Sequence, residues 1–107
     1  MNPKIFFKCL ADETRLKSLL IISNLGEVCV CDLTNALKVD QPKISRHLAE
    51  LRKCKLVTDN RKGKWVYYRI SPELPKWAQD ILTLTLKNNS NYIKDNLKHI
   101  SNCQNLL

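Results

Sequence analysis

Asp40-Gln41-Pro42-Lys43-Ile44-Ser45-Arg46-His47-Leu48-Ala49-Glu50-Leu51-Arg52 is the stretch on which the fold turns. Ile44, Leu48 and Leu51 stand at i, i+4 and i+7, the inward stripe of a helix expected over Gln41–Lys53. Asp40 supplies an N-cap, and Pro42 falls in the first turn, where a missing N–H does no harm. Gln41, Lys43, Ser45, Arg46, His47 and Glu50 are then left facing away from the core. An ordinary surface helix has the same pattern, so its neighbours decide the reading.

Upstream, Val30, Leu33 and Leu37 predict a short helix, Val30–Leu37, separated from the next by Lys38-Val39-Asp40. Before it, Asp12 caps a helix carrying Leu16, Leu19, Leu20 and Ile22, which Gly26 terminates after Leu25. The first segment, Pro3–Leu10, sets Ile5, Phe6, Phe7 and Leu10 within about two turns, too apolar for a lone surface helix. Downstream, Val57–Arg61 and the β-branched, aromatic Lys64–Ile70 predict strands around a reversal at Lys62-Gly63. Ser71-Pro72 ends the second strand. Pro75 opens a last helix carrying Trp77, Ile81 and Leu84 and continuing to Tyr92, Ile93 and Leu97. This order is a winged helix-turn-helix, mainly α with a small β-hairpin (α+β). It is expected to form one domain over residues 1–107, with 99–107 a flexible tail.

The charge supports a polyanionic partner. The chain carries +8 overall, yet residues 41–70 hold nine basic and two acidic side chains, a net +7. The other 77 residues share +1. In the Gln41–Lys53 helix, amide and guanidinium groups suit base edges, while hydroxyl and ammonium groups suit phosphates. Arg61, Lys62 and Lys64 surround Gly63 at a hairpin tip that can follow a backbone or enter a minor groove. Asp40–Arg52 is therefore expected in the major groove and Arg61–Lys64 as a basic wing. No apolar run approaches the roughly 18 residues of a membrane span, and no secretory signal is evident. A cytoplasmic protein without a membrane partner is expected.

Four motifs extend this reading: Ala11-Asp12-Glu13-Thr14-Arg15-Leu16, Cys29-Val30-Cys31-Asp32-Leu33, Gln41-Pro42-Lys43-Ile44-Ser45-Arg46-His47-Leu48 and Gly63-Lys64-Trp65-Val66-Tyr67-Tyr68-Arg69. In this order they resemble the arsenic-responsive repressors of the ArsR/SmtB family, over about Ile5 to Trp77. The resemblance implies a homodimer built from the first and last helices, 1–10 and 75–98, on a palindromic double-stranded operator ahead of an arsenic-resistance operon. It also implies that trivalent arsenic or antimony, as inducer, releases the DNA. The apolar residues Ile5, Phe6, Phe7, Trp77, Ile81 and Leu84 would suit a shared interface. Two recognition helices would then lie about 34–36 Å apart, one DNA turn.

Five cysteines without a signal sequence argue for thiols rather than a disulfide framework. Cys29 and Cys31 point about 200° apart on a straight helix, by its 3.6-residue repeat, and cannot grip one ion. In an extended or frayed segment they share a face and can. A soft ion held by both should distort the start of the Val30–Leu37 helix that braces Gln41–Arg46. The arsenic repressors that the chain resembles carry a third cysteine, where Thr34 stands here. Two sulfurs with a solvent oxygen, or Cys9, Cys54 or Cys103 as third ligand, remain open. A thiol oxidation sensor of the same fold is the alternative, and buried, non-sensing cysteines a third.

An enzyme is not expected, and no catalytic cofactor. The one-residue spacing of Cys29 and Cys31 is not the two-residue spacing of thiol oxidoreductases. Asp95 and His99, at i and i+4, are read as solvated surface residues rather than a zinc site. His47 is read as facing DNA.

Overall fold

A short capping device starts each of the first two helices. In the computed structural model, which describes residues 1–100, α1 spans Pro3–Leu10 and begins where Asn2 Oδ1 accepts the Lys4 N–H at 2.7 Å. α2 (Glu13–Leu25) begins where Asp12 Oδ2 accepts the Arg15 N–H at 3.0 Å. Gly26 ends α2 at φ 90°, a conformation that side-chain-bearing residues avoid.

A strand then intervenes that the apolar pattern does not reveal. β1 (Glu27–Cys29) pairs antiparallel with the later strand β3 (Trp65–Ile70), with Cys29 opposite Tyr67. Three residues are too few for a period-2 signal, and Val28 and Val30 read equally well as the start of the next helix. The hairpin is therefore part of a three-stranded sheet of order β1-β3-β2. β2 spans Val57–Lys62 and pairs with β3 from Val57↔Ile70 to Lys62↔Trp65. The reversal is Gly63-Lys64, one residue later than expected, with Gly63 at φ 63°. A two-residue hairpin loop needs a positive φ at its first position, and Gly63 is the residue that accepts it without strain.

α3 (Val30–Leu37) ends at Lys38, held left-handed at φ 54°. α4 (Gln41–Lys53) follows, its first turn closed by Asp40 Oδ1 accepting the Lys43 N–H at 2.9 Å. α5 (Lys76–Asn88) stops short of the expected single helix to Leu97. A 3-10 turn (Ser90–Tyr92) and a four-residue α6 (Lys94–Leu97) replace its end. The reason is local. Asn88 and Asn89 turn their amides onto the Leu84 and Thr85 carbonyls, at 2.9 and 3.0 Å, and the Asn-Asn-Ser-Asn run favours such side-chain bonds over helix continuation.

The core is built around α2, where Ser18 to Ile22 are all buried. Ile44, Leu48 and Leu51 of α4 meet it, as do Leu33 and Ala36 of α3 and Val28 of β1. The arrangement is a winged helix-turn-helix. Phe6 departs from expectation: it is fully buried, edge-on to Phe7 at 5.2 Å and to Trp77 at 5.3 Å. Ile5, Phe7, Trp77 and Leu84 remain exposed. Of the expected tail 99–107, residues 101–107, with Cys103, lie outside the described residues.

Candidate DNA interface and thiol site

The first two turns of α4 present Gln41, Lys43, Ser45 and Arg46 to solvent, because Ile44 and Leu48 turn the opposite face inward. The ion pairs among the described residues leave Lys43 and Arg46 out. These are the positions of a helix start, where unpaired N–H groups and the dipole favour a phosphate.

His47 is placed differently from its sequence expectation. Its ring is half-buried against the N-terminus of α2, with Nδ1 3.3 Å from Arg15 Nη1 and 3.7 Å from the Asp12 carboxylate. Burial holds the imidazole below its ordinary pKa; Asp12 opposes this, while Arg15, Lys43 and Arg46 add to it. The carboxyl of Asp12 is itself held low, chiefly by the Arg15 N–H. Arg15 also donates from Nε to the Cys9 carbonyl at 2.6 Å. The His47 side chain therefore seats α4 on α2.

In the wing, the three cations differ. Arg61 and Lys64 are exposed and outside those ion pairs. Lys64 lies 5.4 Å from the ring of the partly exposed Trp65. Lys62 is committed inward: its Nζ meets Glu27 at 2.8 Å and lies 4.9 Å from the Tyr67 ring centre. That contact straps the wing to β1, the strand that ends in Cys29.

Cys29 and Cys31 do come together, and among the described residues the nearby third donor is Asp32 rather than Cys9 or Cys54. Cys29 Sγ, Cys31 Sγ and an Asp32 carboxylate oxygen all lie within 4.8 Å of one another. Cys29 is still extended (φ −84°, ψ 159°), and Cys31 occupies the first turn of α3, so the two sulfurs straddle the helix start. Cys29 and Asp32 form a reciprocal cap. The Cys29 sulfur accepts the Asp32 N–H at 3.3 Å, and Asp32 Oδ2 accepts the Cys29 N–H at 3.4 Å. Burial, and then the Cys31 thiol, push the Cys29 thiol well up, with the Asp32 N–H pulling the other way. Thr34 turns its hydroxyl to the Val30 carbonyl at 3.0 Å, along the helix. Cys9 and Cys54 sit together in another cleft. The donor set is thus two sulfurs and one carboxylate oxygen, suited to a soft ion of low coordination number.

A cleft of about 360 Å³ joins the two sites. Cys31 and Thr34 of α3, Gln41 and Ser45 of α4, and Lys64 and Trp65 of the wing all line it. Cys31 of the thiol pair, the reading helix and the wing therefore border one space.

Comparison with known proteins agrees with this geometry. The family described as bacterial regulatory protein, arsR family, matches residues 12–59. The chain is 50% identical over 102 residues to the arsenic resistance transcriptional regulator ArsR2 of Pseudomonas putida, covering 95% of this chain and 89% of that one. It is 59% identical over 80 residues to the arsenical resistance operon repressor of Escherichia coli K12, covering 75% and 68%. Among solved structures, the AntR antimony-specific transcriptional repressor superimposes with a TM-score of 0.68 at 28% identity, over 82% of this chain and 77% of that one.

Proposed function

Because this chain belongs to the ArsR family of bacterial regulatory proteins, we propose that it is the repressor of an arsenic-resistance type operon. As a homodimer it binds a palindromic operator through Gln41, Lys43, Ser45 and Arg46 in the major groove. Arg61 and Lys64 contact the backbone, and Lys62 holds the wing in place. His47 acts from behind, through its seat on Asp12 and Arg15. The exposed Ile5, Phe7, Trp77 and Leu84 form the dimer contact. No helix among the described residues is long and apolar enough to cross a membrane.

The inducer is a trivalent arsenic or antimony species held by Cys29 and Cys31, with the Asp32 carboxylate the nearest oxygen. One observation carries this reading: two of the three residues able to hold the ion, Cys29 and Asp32, are the pair that caps α3. When the Cys29 sulfur and the Asp32 carboxylate turn to a ligand, the reciprocal cap opens. The first turn of α3 loosens beside the cleft that Gln41 and Ser45 also line. A cap contributes about 1 kcal/mol. The coupling that separates ligand from DNA typically lies at 1–3 kcal/mol. The two magnitudes are comparable, so loss of a cap is large enough to contribute to such a switch.

Oxidation of the pair is the weaker reading. Peroxide attacks thiolates, and burial keeps Cys29 protonated. The test is fluorescence anisotropy on the protein's own promoter fragment, with arsenite, antimonite, zinc and peroxide added separately. Release by arsenite or antimonite is expected, and loss of that release in both Cys29→Ser and Cys31→Ser. Release by peroxide alone would overturn the assignment.

A further inference from the structure

A second thiol pair stands apart from this site, between α1 and the end of α4. Cys9 is only 6% exposed, and its Sγ lies 3.9 Å from the Glu50 carbonyl oxygen. The same oxygen accepts the Cys54 N–H at 3.0 Å, so both residues are gathered at one backbone carbonyl. Both line a cleft of about 620 Å³, bordered on its apolar side by Ile5 and Pro75. Burial and the neighbouring Cys54 thiol push Cys9 up to about 12.

Three chemistries use two thiols, and the surroundings discriminate among them. A divalent cation binds thiolates, and Cys9 resists becoming one. A disulfide requires sulfurs at about 2 Å and also an oxidant. A trivalent arsenical condenses with protonated thiols and leaves the two sulfurs near van der Waals contact.

We propose that Cys9 and Cys54 form a second arsenical site, which takes a trivalent arsenical carrying one organic group. In the step, R–As=O and two thiols give R–As(S–Cys)2 and one water. Two As–S bonds form, the arsenic–oxygen double bond breaks, both thiol protons leave on the oxygen, and arsenic stays trivalent. Carbon already fills the third valence, so two sulfurs complete the site, and R lies beside Pro75. The bridge ties α1 to the end of the DNA-reading helix. This inference rests on neither Cys29 nor Cys31.

Phenylarsine oxide is the probe, applied to the full chain carrying Cys29→Ser, Cys31→Ser and Cys103→Ser. Intact-mass measurement under native conditions should show one phenylarsenic adduct per chain, with a higher Tm. Adding Cys54→Ser should abolish both. Iodoacetamide reads the same site without that last substitution: the arsenical should protect Cys54, and a small dithiol should reverse the protection. No adduct on the chain that keeps both thiols, an adduct that survives Cys54→Ser, or an unprotected Cys54 would overturn the proposal. Operator release through Cys29 and Cys31 is measured separately, so failure of one reading leaves the other standing.

Discussion

Cys29 and Asp32 cap one another across the first turn of α3, sulfur to N–H at 3.3 Å and carboxylate to N–H at 3.4 Å. Serine is a strong N-cap, so Cys29→Ser should keep the turn and the operator affinity while abolishing release by arsenite. Cys29→Ala removes the sulfur half of the cap, leaving the Asp32 carboxylate on the residue-29 N–H, and should cost up to about 1 kcal/mol of stability. Thermal melts and anisotropy titrations of the two variants check both statements.

Arg46 is exposed on the reading face and outside the ion pairs formed among the described residues. If it reads a base, Arg46→Ala should weaken operator binding by about 1–3 kcal/mol and relax specificity at one position. Affinity on operator and scrambled DNA, compared at one salt concentration, is the measurement.

The wing cations should separate on a salt titration. Arg61→Ala and Lys64→Ala should each lower the slope of log affinity against log salt by about 1, the value of one released phosphate counterion. Lys62→Ala should change that slope less, because its ammonium group is held by Glu27 at 2.8 Å. It should instead loosen the wing, which proteolysis between β2 and β3 would report.

His47 makes stability depend on pH in a definite direction. Its folded pKa lies below the ordinary value of about 6.5, chiefly through burial, so the unfolded chain takes up the proton more readily. The stability present above about 6.5 is therefore lost as pH falls from there through the folded pKa. His47→Gln should flatten this part of the profile. Urea midpoints between pH 7.5 and 5.5 decide the matter, and equal slopes in both proteins would sink it.

The exposed apolar face gives a dimer prediction. Leu84→Lys should shift the chain towards monomer and weaken operator binding, with little loss of monomer stability because its side chain is already exposed; Phe7→Glu should do the same while also losing the edge contact with Phe6. Sedimentation velocity and anisotropy on the same samples test it.

The helical parts of this protein were legible because their signals are redundant. α4 is announced by Asp40, by Pro42 and by the Ile44, Leu48, Leu51 stripe, and each finds its expected place. β1 had no such redundancy; its three residues gain their identity from pairing with β3, a long-range partner. The missed break after Asn88 belongs to side-chain competition, which apolar spacing ignores. At the site, Cys29 and Cys31 were legible as a pair, whereas Asp32 was not, since an acidic residue at N3 reads first as part of a cap. The seat of His47 on Asp12 and the meeting of Cys9 with Cys54 both depend on how α1 and α2 cross α4. Local sequence does not carry that crossing.

Cys29 is also a rung of the ladder that carries the wing, opposite Tyr67 and on the same strand as Glu27, which holds the Lys62 strap. On the proposed reading, whatever fixes the wing on a phosphate backbone also fixes the strand that ends in the sensing sulfur. Coupling of this kind is reciprocal: the factor by which the ion weakens DNA binding is the factor by which DNA weakens ion binding. Protein seated on its operator is then the poorer sensor, and protein free in solution the better one. The concentration at which genes switch on is accordingly set partly by how many copies of the repressor exceed the operators available.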